Sequence, residues 1–182
     1  LAVVGMEAGH LEPGAPLDTA AQKAPLPRWG IIAVGSVVLA AFVVDSAVSS
    51  WSTVLLSDEL VAGATIAPLG YAAYQAVVLV TRLVGDRLTD ALGRAVPVLA
   101  ASVLAAVGLV VVALVAAPVA AIIGFAVAGL GVGVLVPAAF SAAGAMVPGR
   151  VDEVVARVNL FNYGGAVLGA GLVGALAGGI GL

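Results

Sequence analysis

Long apolar runs separated by short polar segments dominate the chain. No charged residue lies between Glu59 and Arg82, between Arg94 and Arg150, or after Arg157. A helix that crosses a bilayer needs about 20 predominantly apolar residues, so the interval after Arg94 is long enough for two such helices. The pattern therefore predicts a protein with several membrane-spanning segments.

Five apolar segments follow a polar N-terminal stretch. The alternation that marks barrel strands is missing, and in lipid every backbone polar group must be satisfied within the protein, so the segments are predicted to be helices. Pro118 fits the first turn of a helix, where its missing N–H costs little. The predicted fold class is all-α, a polytopic membrane helical bundle. Its five transmembrane helices are expected at residues 29–56, 66–84, 96–117, 118–146 and 155–177.

The first 28 residues have a different composition. They contain three acidic residues, the single histidine and four prolines, which is typical of a flexible polar linker. The opening apolar stretch carries no basic residue, so it does not resemble a signal peptide. We therefore expect a linker at 1–28, a transmembrane bundle at 29–182, and a chain that is a fragment of a longer protein.

Composition excludes several classes of function. Hydrophobic residues make up 63% of the chain and charged residues only 9%, whereas soluble domains are roughly half apolar and about a quarter charged. The net charge is −3, there is no basic run, and cysteine is absent, which argues against nucleic-acid binding and thiol chemistry. His10 lies in the linker, and the sequence has neither a Ser-His-Asp set nor a P-loop. We expect no enzyme activity, no cofactor and no metal site.

The distribution of basic residues indicates an orientation. If the five segments alternate across the membrane, all seven lysines and arginines fall on one side, and the other side carries Asp58 and Glu59. The positive-inside rule makes the basic side, with its linker, cytoplasmic. The basic residues are Lys23, Arg28, Arg82, Arg87, Arg94, Arg150 and Arg157.

Asp45 is the first candidate for a functional residue. It falls in the middle of the first predicted helix, where an ionisable group is costly and is by default a hypothesis of function. Ser49 shares a helical face with it, and Ser50 is adjacent, so the helix carries a polar stripe suited to a cavity wall. Two alternatives remain open: a structural polar contact between helices, and small residues that only permit close packing.

The second predicted helix carries another polar pair. Tyr71 and Gln75 are four residues apart and share a face. Anchoring at the membrane interface is an alternative role for Tyr71, whereas Gln75 lies deeper and needs a hydrogen-bond partner. We list both as candidate cavity residues, with Asp45, for proton coupling or substrate binding.

Glycines recur at four-residue spacing in the last two helices. Such G-x-x-x-G spacing lets the backbones of two helices approach closely. Helix packing is therefore the predicted role of four glycines, Gly129, Gly133, Gly165 and Gly169.

Charged residues cluster in GDRLTDALGR, residues 85–94, between the second and third helices. One interpretation is a solvated cytoplasmic loop in which acids and bases neutralise each other. The other is an interaction in which Asp90 binds a helix N-terminus or an arginine and holds one conformation, with Gly93 allowing a tight turn. The candidate residues of this motif are Asp86, Arg87, Asp90, Gly93 and Arg94.

The cluster resembles the G-x-x-x-D-R-x-G-R loop of the major facilitator superfamily, with Asp90, Gly93 and Arg94 on matching positions. AGLGVGVLVPAAF and NYGGAVLGAGLVGALAG are similar to Gly-rich helices of that family, and DSAVSSWSTVLLSDEL resembles a helix of a bacterial inner-membrane branch. The resemblance implies the C-terminal half of a facilitator, helices seven to eleven of twelve, without its N-terminal half.

This resemblance implies a secondary active transporter that moves a small solute by alternating access, as symport or antiport coupled to protons. Its partners would be the lipid bilayer, the small-molecule solute, protons and the missing half of the same chain. The location would be the bacterial inner membrane. The alternative is a structural or assembly subunit of a membrane complex without transport of its own.

Overall fold

Five helices form the bundle in the part of the chain that the structure describes. The computed structural model describes residues 25–92 and 95–180, and for 85–92, 176–178 and 180 it describes only the backbone. The predicted all-α class is confirmed, since the regular structure of these residues is helical. The helices are α1 (Arg28–Val54), α2 (Leu69–Leu92), α3 (Ala95–Leu114), α4 (Pro118–Gly144) and α5 (Val151–Ile180), with a π-helical turn at Leu55–Glu59 that continues α1.

Four helices of the described chain are long and apolar enough to cross a membrane. They are α1 with its π-helical turn (Arg28–Glu59), α3, α4, and the Val151–Ala175 part of α5. The apolar part of α2 is shorter, Leu69–Val84, because the predicted start of this helix at residue 66 lies instead in a turn. At 1.5 Å per residue that part covers roughly 24 Å, somewhat less than the roughly 30 Å hydrocarbon core of a bilayer.

The helix α4 lies at the centre of the bundle and packs against every other helix, most closely against α3 and α2. The other extensive interface joins α1 to α5, which run in the same direction, because Leu39 and Val43 of α1 lie against Gly165 and Gly169 of α5 in order. The alternating course of the helices brings the first residues of α1 and α5 to one end of the bundle.

Side chains on the outside of the bundle are largely apolar. In α3 the buried positions form one stripe of small residues, Pro97, Ala101, Ala105 and Gly108, which packs on α4. The opposite face carries residues such as Leu114, which is 79% exposed, and Leu99, which is 67% exposed. Large exposed apolar side chains on a helical surface are suited to lipid rather than water.

Several predicted boundaries were wrong by a few residues. α2 does not end at residue 84 but continues to Leu92, so the backbone at Asp86, Arg87 and Asp90 is helical rather than a loop. No glycine or proline interrupts the segment between Gly85 and Gly93, which allows the helix to continue. The side chains of these residues, as well as Gly93 and Arg94, lie outside the described residues.

The last helix begins earlier than predicted, at Val151 instead of residue 155. Asp152 and Glu153 lie in its first turn, where carboxylates interact favourably with the positive end of the helix dipole. Gly149, with φ of +85°, makes the turn that precedes it. The predicted linker up to residue 24 lies outside the described residues, and α1 begins at Arg28 after a short extended segment.

Candidate functional site

A hydrogen bond between a carboxylate and a tyrosine joins the first two helices. The Tyr74 hydroxyl of α2 donates to Oδ1 of Asp45 on α1, with an oxygen–oxygen distance of 2.9 Å. Tyr74 is completely buried (0% exposed), whereas Asp45 is half-buried. The carboxyl group predicted from the sequence to be functional therefore has a specific partner on the neighbouring helix.

Gly129 of α4 makes room for Tyr74. A Cβ atom at position 129 would lie 2.7 Å from the Tyr74 carbonyl oxygen and 3.4 Å from Cδ2 of its ring. Because glycine has no side chain, the backbones of α2 and α4 touch at this point. The tyrosine is held from behind by α4 and directs its hydroxyl towards α1.

The Tyr74 hydrogen bond does not fully offset the free-energy cost of placing an ionised Asp45 inside a membrane-spanning helix. Hydrogen bonds between transmembrane helices contribute about 0.6 kcal/mol on average and at most about 1.7 kcal/mol, whereas a charged side chain at the middle of a spanning helix costs about 2.5–3.5 kcal/mol on insertion scales. The second oxygen, Oδ2, has no hydrogen bond to another described side chain and is not fully buried.

The other candidates on α2 form a separate pair. Gln75 Nε2 donates to the Tyr71 hydroxyl at 2.8 Å, within one helical turn. Gln75 is exposed and Tyr71 is half-buried. The partner that the sequence predicts Gln75 to require is therefore Tyr71, and within the described residues neither side chain hydrogen-bonds to Asp45.

The serines named with Asp45 lie apart from its carboxyl group. Ser49 and Ser50 are exposed, and Ser49 Oγ donates to the carbonyl oxygen of Ser46 in its own helix at 3.1 Å. Ser52, three residues further, is buried, and its hydroxyl has no partner among the described atoms. The structure brings Asp45 together with Tyr74 and not with Ser49 or Ser50.

Two side chains of α1 are hydrogen-bonded to the backbone of α5. Ser46 Oγ donates to the Ala166 carbonyl oxygen at 2.6 Å, and Trp51 Nε1 donates to the Ala170 carbonyl oxygen at 3.3 Å. These carbonyls lie one turn apart on the face that α5 presents to α1. Both donors lie on α1 within six residues of Asp45. They hold this part of α1, which carries the carboxyl group, against α5.

The four glycines predicted for packing face two different helices. Gly129 and Gly133 face α2; a Cβ atom on Gly133 would lie 2.8 Å from Cβ of Thr81. Gly165 and Gly169 face α1; a Cβ atom on Gly165 would lie 2.5 Å from the Leu39 carbonyl oxygen. All four lie where two helix backbones are close together.

An ion-pair group lies at the start of α5. Glu153 accepts from Arg150, with an Nη2–Oε2 distance of 2.6 Å, and from Arg157, with an Nη2–Oε1 distance of 2.8 Å. The sequence pattern predicts for both arginines only a position on the cytoplasmic side. In the described part of the chain, no three carboxylate or histidine side chains come together into a possible metal site.

Sequence reasoning did not select Tyr74, Ser46 or Trp51 as site residues. Each of these side chains carries an N–H or O–H group, and such a group on a buried helix face needs a hydrogen-bond acceptor. That requirement is the feature by which the sequence could have indicated them. The acceptor was not visible in the sequence, since it lies on another helix.

The architecture and the site define a polytopic helical membrane protein with an ionisable group at membrane depth. Residues 32–182 match the family model of the Major Facilitator Superfamily. The chain belongs to this superfamily, as the sequence resemblance predicted. It is therefore a multi-pass membrane protein of a transporter family rather than an enzyme.

Curated relatives come from bacteria. The chain is 30% identical over 151 residues to an uncharacterized MFS-type transporter of Yersinia pestis, an alignment that covers 83% of the chain and 39% of the relative. It is 30% identical over 152 residues to the uncharacterized transporter y4wD of Sinorhizobium fredii, covering 84% of the chain and 40% of the relative.

A third relative, the membrane protein MosC of Rhizobium meliloti, is 29% identical over 140 residues, which is 77% of the chain and 34% of the relative. The chain thus spans about two fifths or less of the length of the curated relatives it matches. No solved structure matches the chain.

Proposed function

We propose that this chain is the C-terminal half of a secondary active transporter that moves a small solute by alternating access. The motif resemblance supports the assignment to this half, and the span of about two fifths of the relatives supports a longer whole protein. The division proposed is a linker at 1–28 and a transmembrane bundle at 29–182. The missing N-terminal half would complete the pathway for the solute.

The proposed location is the bacterial inner membrane, with the linker in the cytoplasm. The bacterial origin of the relatives supports the first part. The positive-inside rule supports the second, because the start of α1, the charged end of α2 and the start of α5 carry basic residues. By the alternating course of the helices, these three segments lie at the same end of the bundle.

Asp45 is proposed to couple transport to protons. The observation that carries this proposal is its half-buried carboxyl group, held on one oxygen by Tyr74 and free of hydrogen bonds to described side chains on the other. A carboxyl group with one oxygen outside this hydrogen bond would bind and release a proton as the helices around it move. Tyr71 and Gln75 are proposed to contribute polar contacts to the same cavity, with Ser49 and Ser50 along its wall.

The charge cluster of residues 85–94 is proposed to stabilise one conformation of the transporter through Asp90. Asp86 and Arg87 would contribute further charges, and Gly93 with Arg94 would form the turn to α3. Asp90→Asn is expected to impair transport without reducing insertion into the membrane. Unchanged transport would leave the cluster with a topological role alone.

The proton-coupling role is tested in proteoliposomes that contain the product of the complete gene and a pH-sensitive dye. A panel of sugars, amino acids and organic cations is added outside, and solute-driven proton flux is recorded. Asp45→Asn is expected to abolish this flux. Asp58→Asn is the matched control, because Asp58 is an exposed acid in the terminal turn of the same helix.

Two results would contradict the proposal. If Asp45→Asn keeps the proton flux of the parent protein, Asp45 does not couple protons. If the variant loses flux but also loses expression or helicity while Asp58→Asn does not, the residue is structural, and the alternative of an assembly subunit gains support.

A further inference from the structure

The Asp45–Tyr74 hydrogen bond connects two parts of the bundle that are each held together by different contacts. The first part is the α1–α5 pair. Besides an extensive interface, these helices share the bonds from Ser46 and Trp51 to backbone carbonyls of α5. Their backbones also touch at Gly165 and Gly169, so the pair is suited to move as one body.

The second part consists of α2, α3 and α4. A Cβ atom on Gly129 would lie 2.7 Å from the Tyr74 carbonyl oxygen, and one on Gly108 of α3 would lie 2.5 Å from the Gly124 carbonyl oxygen of α4. Backbone contact at this distance joins α2 and α3 to α4 as closely as α5 is joined to α1. We call these three helices the α2–α4 unit.

The α1–α5 pair and the α2–α4 unit meet through apolar side chains rather than through close backbone contacts. α1 meets α4 and α2 through apolar side chains, including Val48 and Leu56 of α1 and Val132 of α4. Apolar packing has little directionality and tolerates small displacements of one helix past another. Among the described side chains, the hydrogen bond that crosses between the two parts is the one between Tyr74 and Asp45.

We propose that Tyr74 is a positioning residue that transmits the charge state of Asp45 to the placement of the α1–α5 pair against the α2–α4 unit. This inference rests on the proposed role of Asp45 and states how its protonation is communicated. A hydrogen bond to an ionised acceptor is about twice as strong as one between neutral groups. Protonation of Asp45 therefore weakens the connection to Tyr74, while the bonds within the α1–α5 pair are unaffected.

Among the described side chains, few titratable groups besides Tyr74 lie on the helices that pack against α1. α2 contributes Tyr74, with Tyr71 and Arg82 elsewhere on the same helix, and α4 has no titratable residue between Pro118 and Gly144. The titratable residues of α5 precede the Ala166 carbonyl that Ser46 contacts; they are Asp152, Glu153, Arg157 and Tyr163. The Asp45→Asn variant therefore separates a contribution of Asp45 to any pH dependence at this interface from the contributions of these groups.

The test measures distances between spin labels in the chain reconstituted in lipid nanodiscs. The sequence has no cysteine, so single cysteines can be introduced at Thr53, Val119 and Leu172, which are exposed positions near the same end of the bundle. The Thr53–Val119 pair reports on the two parts relative to each other. The Thr53–Leu172 pair reports on the α1–α5 pair alone.

Asp45→Asn and Tyr74→Phe are each expected to shift the Thr53–Val119 distance by roughly 2 Å, the scale of helix shifts in switching proteins, and to leave the Thr53–Leu172 distance unchanged. Tyr163→Phe, which removes a hydroxyl from an exposed tyrosine of α5, is the matched control and is expected to change neither. In the parent chain the first distance should depend on pH, and in Asp45→Asn it should not. An unchanged first distance in both variants, or an equal change in both distances, would overturn the proposal.

The outcomes separate this inference from the proposed function. If Asp45→Asn abolishes proton flux in the complete protein but Tyr74→Phe leaves the label distances unchanged, coupling at Asp45 stands and the role of Tyr74 is wrong. If either variant fails to fold, the pH dependence of the Thr53–Val119 distance in the parent chain decides, and a pH-independent distance overturns the inference.

Discussion

The carbonyl oxygen of Val43 lies where the side chain of any residue other than glycine would begin at position 169. α1 and α5 therefore approach to backbone contact at this point. Four residues earlier on both helices, Leu39 and Gly165 have the same relationship. The spacing of the two glycines matches one turn of α1 against one turn of α5, which is what parallel helices with a G-x-x-x-G face require.

Gly169→Ala is expected to destabilise the bundle by about 1–3 kcal/mol, the cost of forcing extra volume into a packed interface. Gly171→Ala is the control, since a Cβ atom there meets nothing within 4 Å. The control should be neutral or stabilising by up to about 1 kcal/mol, because alanine favours helix. Reversible unfolding in mixed micelles measures both, and equal stability of the two variants would refute backbone contact at position 169.

Ser46→Ala is expected to lower the free energy of unfolding by about 0.6 kcal/mol, the average measured for hydrogen bonds between transmembrane helices, and by at most about 1.7 kcal/mol. The bond lost is the one to the Ala166 carbonyl oxygen. Ser102→Ala provides the comparison, because that exposed hydroxyl bonds to Val98 in its own helix, and its removal should have almost no effect. The same unfolding assay decides; a Ser46 variant as stable as the Ser102 variant contradicts the assigned bond.

The helices themselves were predictable because apolar runs of this length have no other stable form in lipid. The residues at which these helices begin and end were less predictable. α2 extends to Leu92 because a charged segment without glycine or proline remains helical once the helix has started. The hydropathy pattern marks only the apolar part of a helix and does not indicate where such a charged extension ends. The π-helical turn at Leu55–Glu59 had no signal in the sequence.

Val61 is expected to be a strained position. Its φ is +50°, a conformation that β-branched residues rarely adopt, and it follows the π-helical turn. Val61→Gly should relieve about 1–2 kcal/mol of backbone strain, partly offset by the larger entropy of unfolded glycine, for a net gain of about 0.5–1 kcal/mol.

The comparison for Val61 is Val103→Gly, at a similarly exposed position within α3, which should lower stability by roughly 0.5 kcal/mol through reduced helix propensity. Thermal unfolding followed by circular dichroism distinguishes the two. A lower melting temperature in both variants would mean that Val61 is not strained.

Glu153→Gln is expected to lower the melting temperature slightly at low ionic strength. The change removes the negative charge that Glu153 shares between Arg150 and Arg157 and leaves one acceptor oxygen. Ion pairs at such an exposed helix start contribute little and are screened by salt. The difference from the parent should shrink in about 1 M NaCl, where the Debye length is about 3 Å. A difference that persists at high salt would show that Glu153 acts through packing or hydrogen bonding.

The candidate site was only partly predictable for a related reason. Asp45 stood out because a charge at mid-helix is rare, and Gln75 because an amide at membrane depth needs a hydrogen-bond partner. The identity of the partners depends on the rotation and register of one helix against another. Those are set by contacts such as Gly129 against Tyr74, which join residues 55 positions apart and leave no local pattern.

The pairing of α1 with α5 has a consequence for how the chain is made. α1 ends at Val54 and α5 begins at Val151, so α1 emerges from the ribosome about 100 residues before its main neighbour, which at about 5–20 residues per second is a delay of roughly 5–20 seconds. During that interval α2 is the first helix available to it, and Tyr74 is the group on α2 that reaches Asp45. Asp45 thus meets its final hydrogen-bond partner on α2 before α5, the main packing neighbour of α1, has been synthesised.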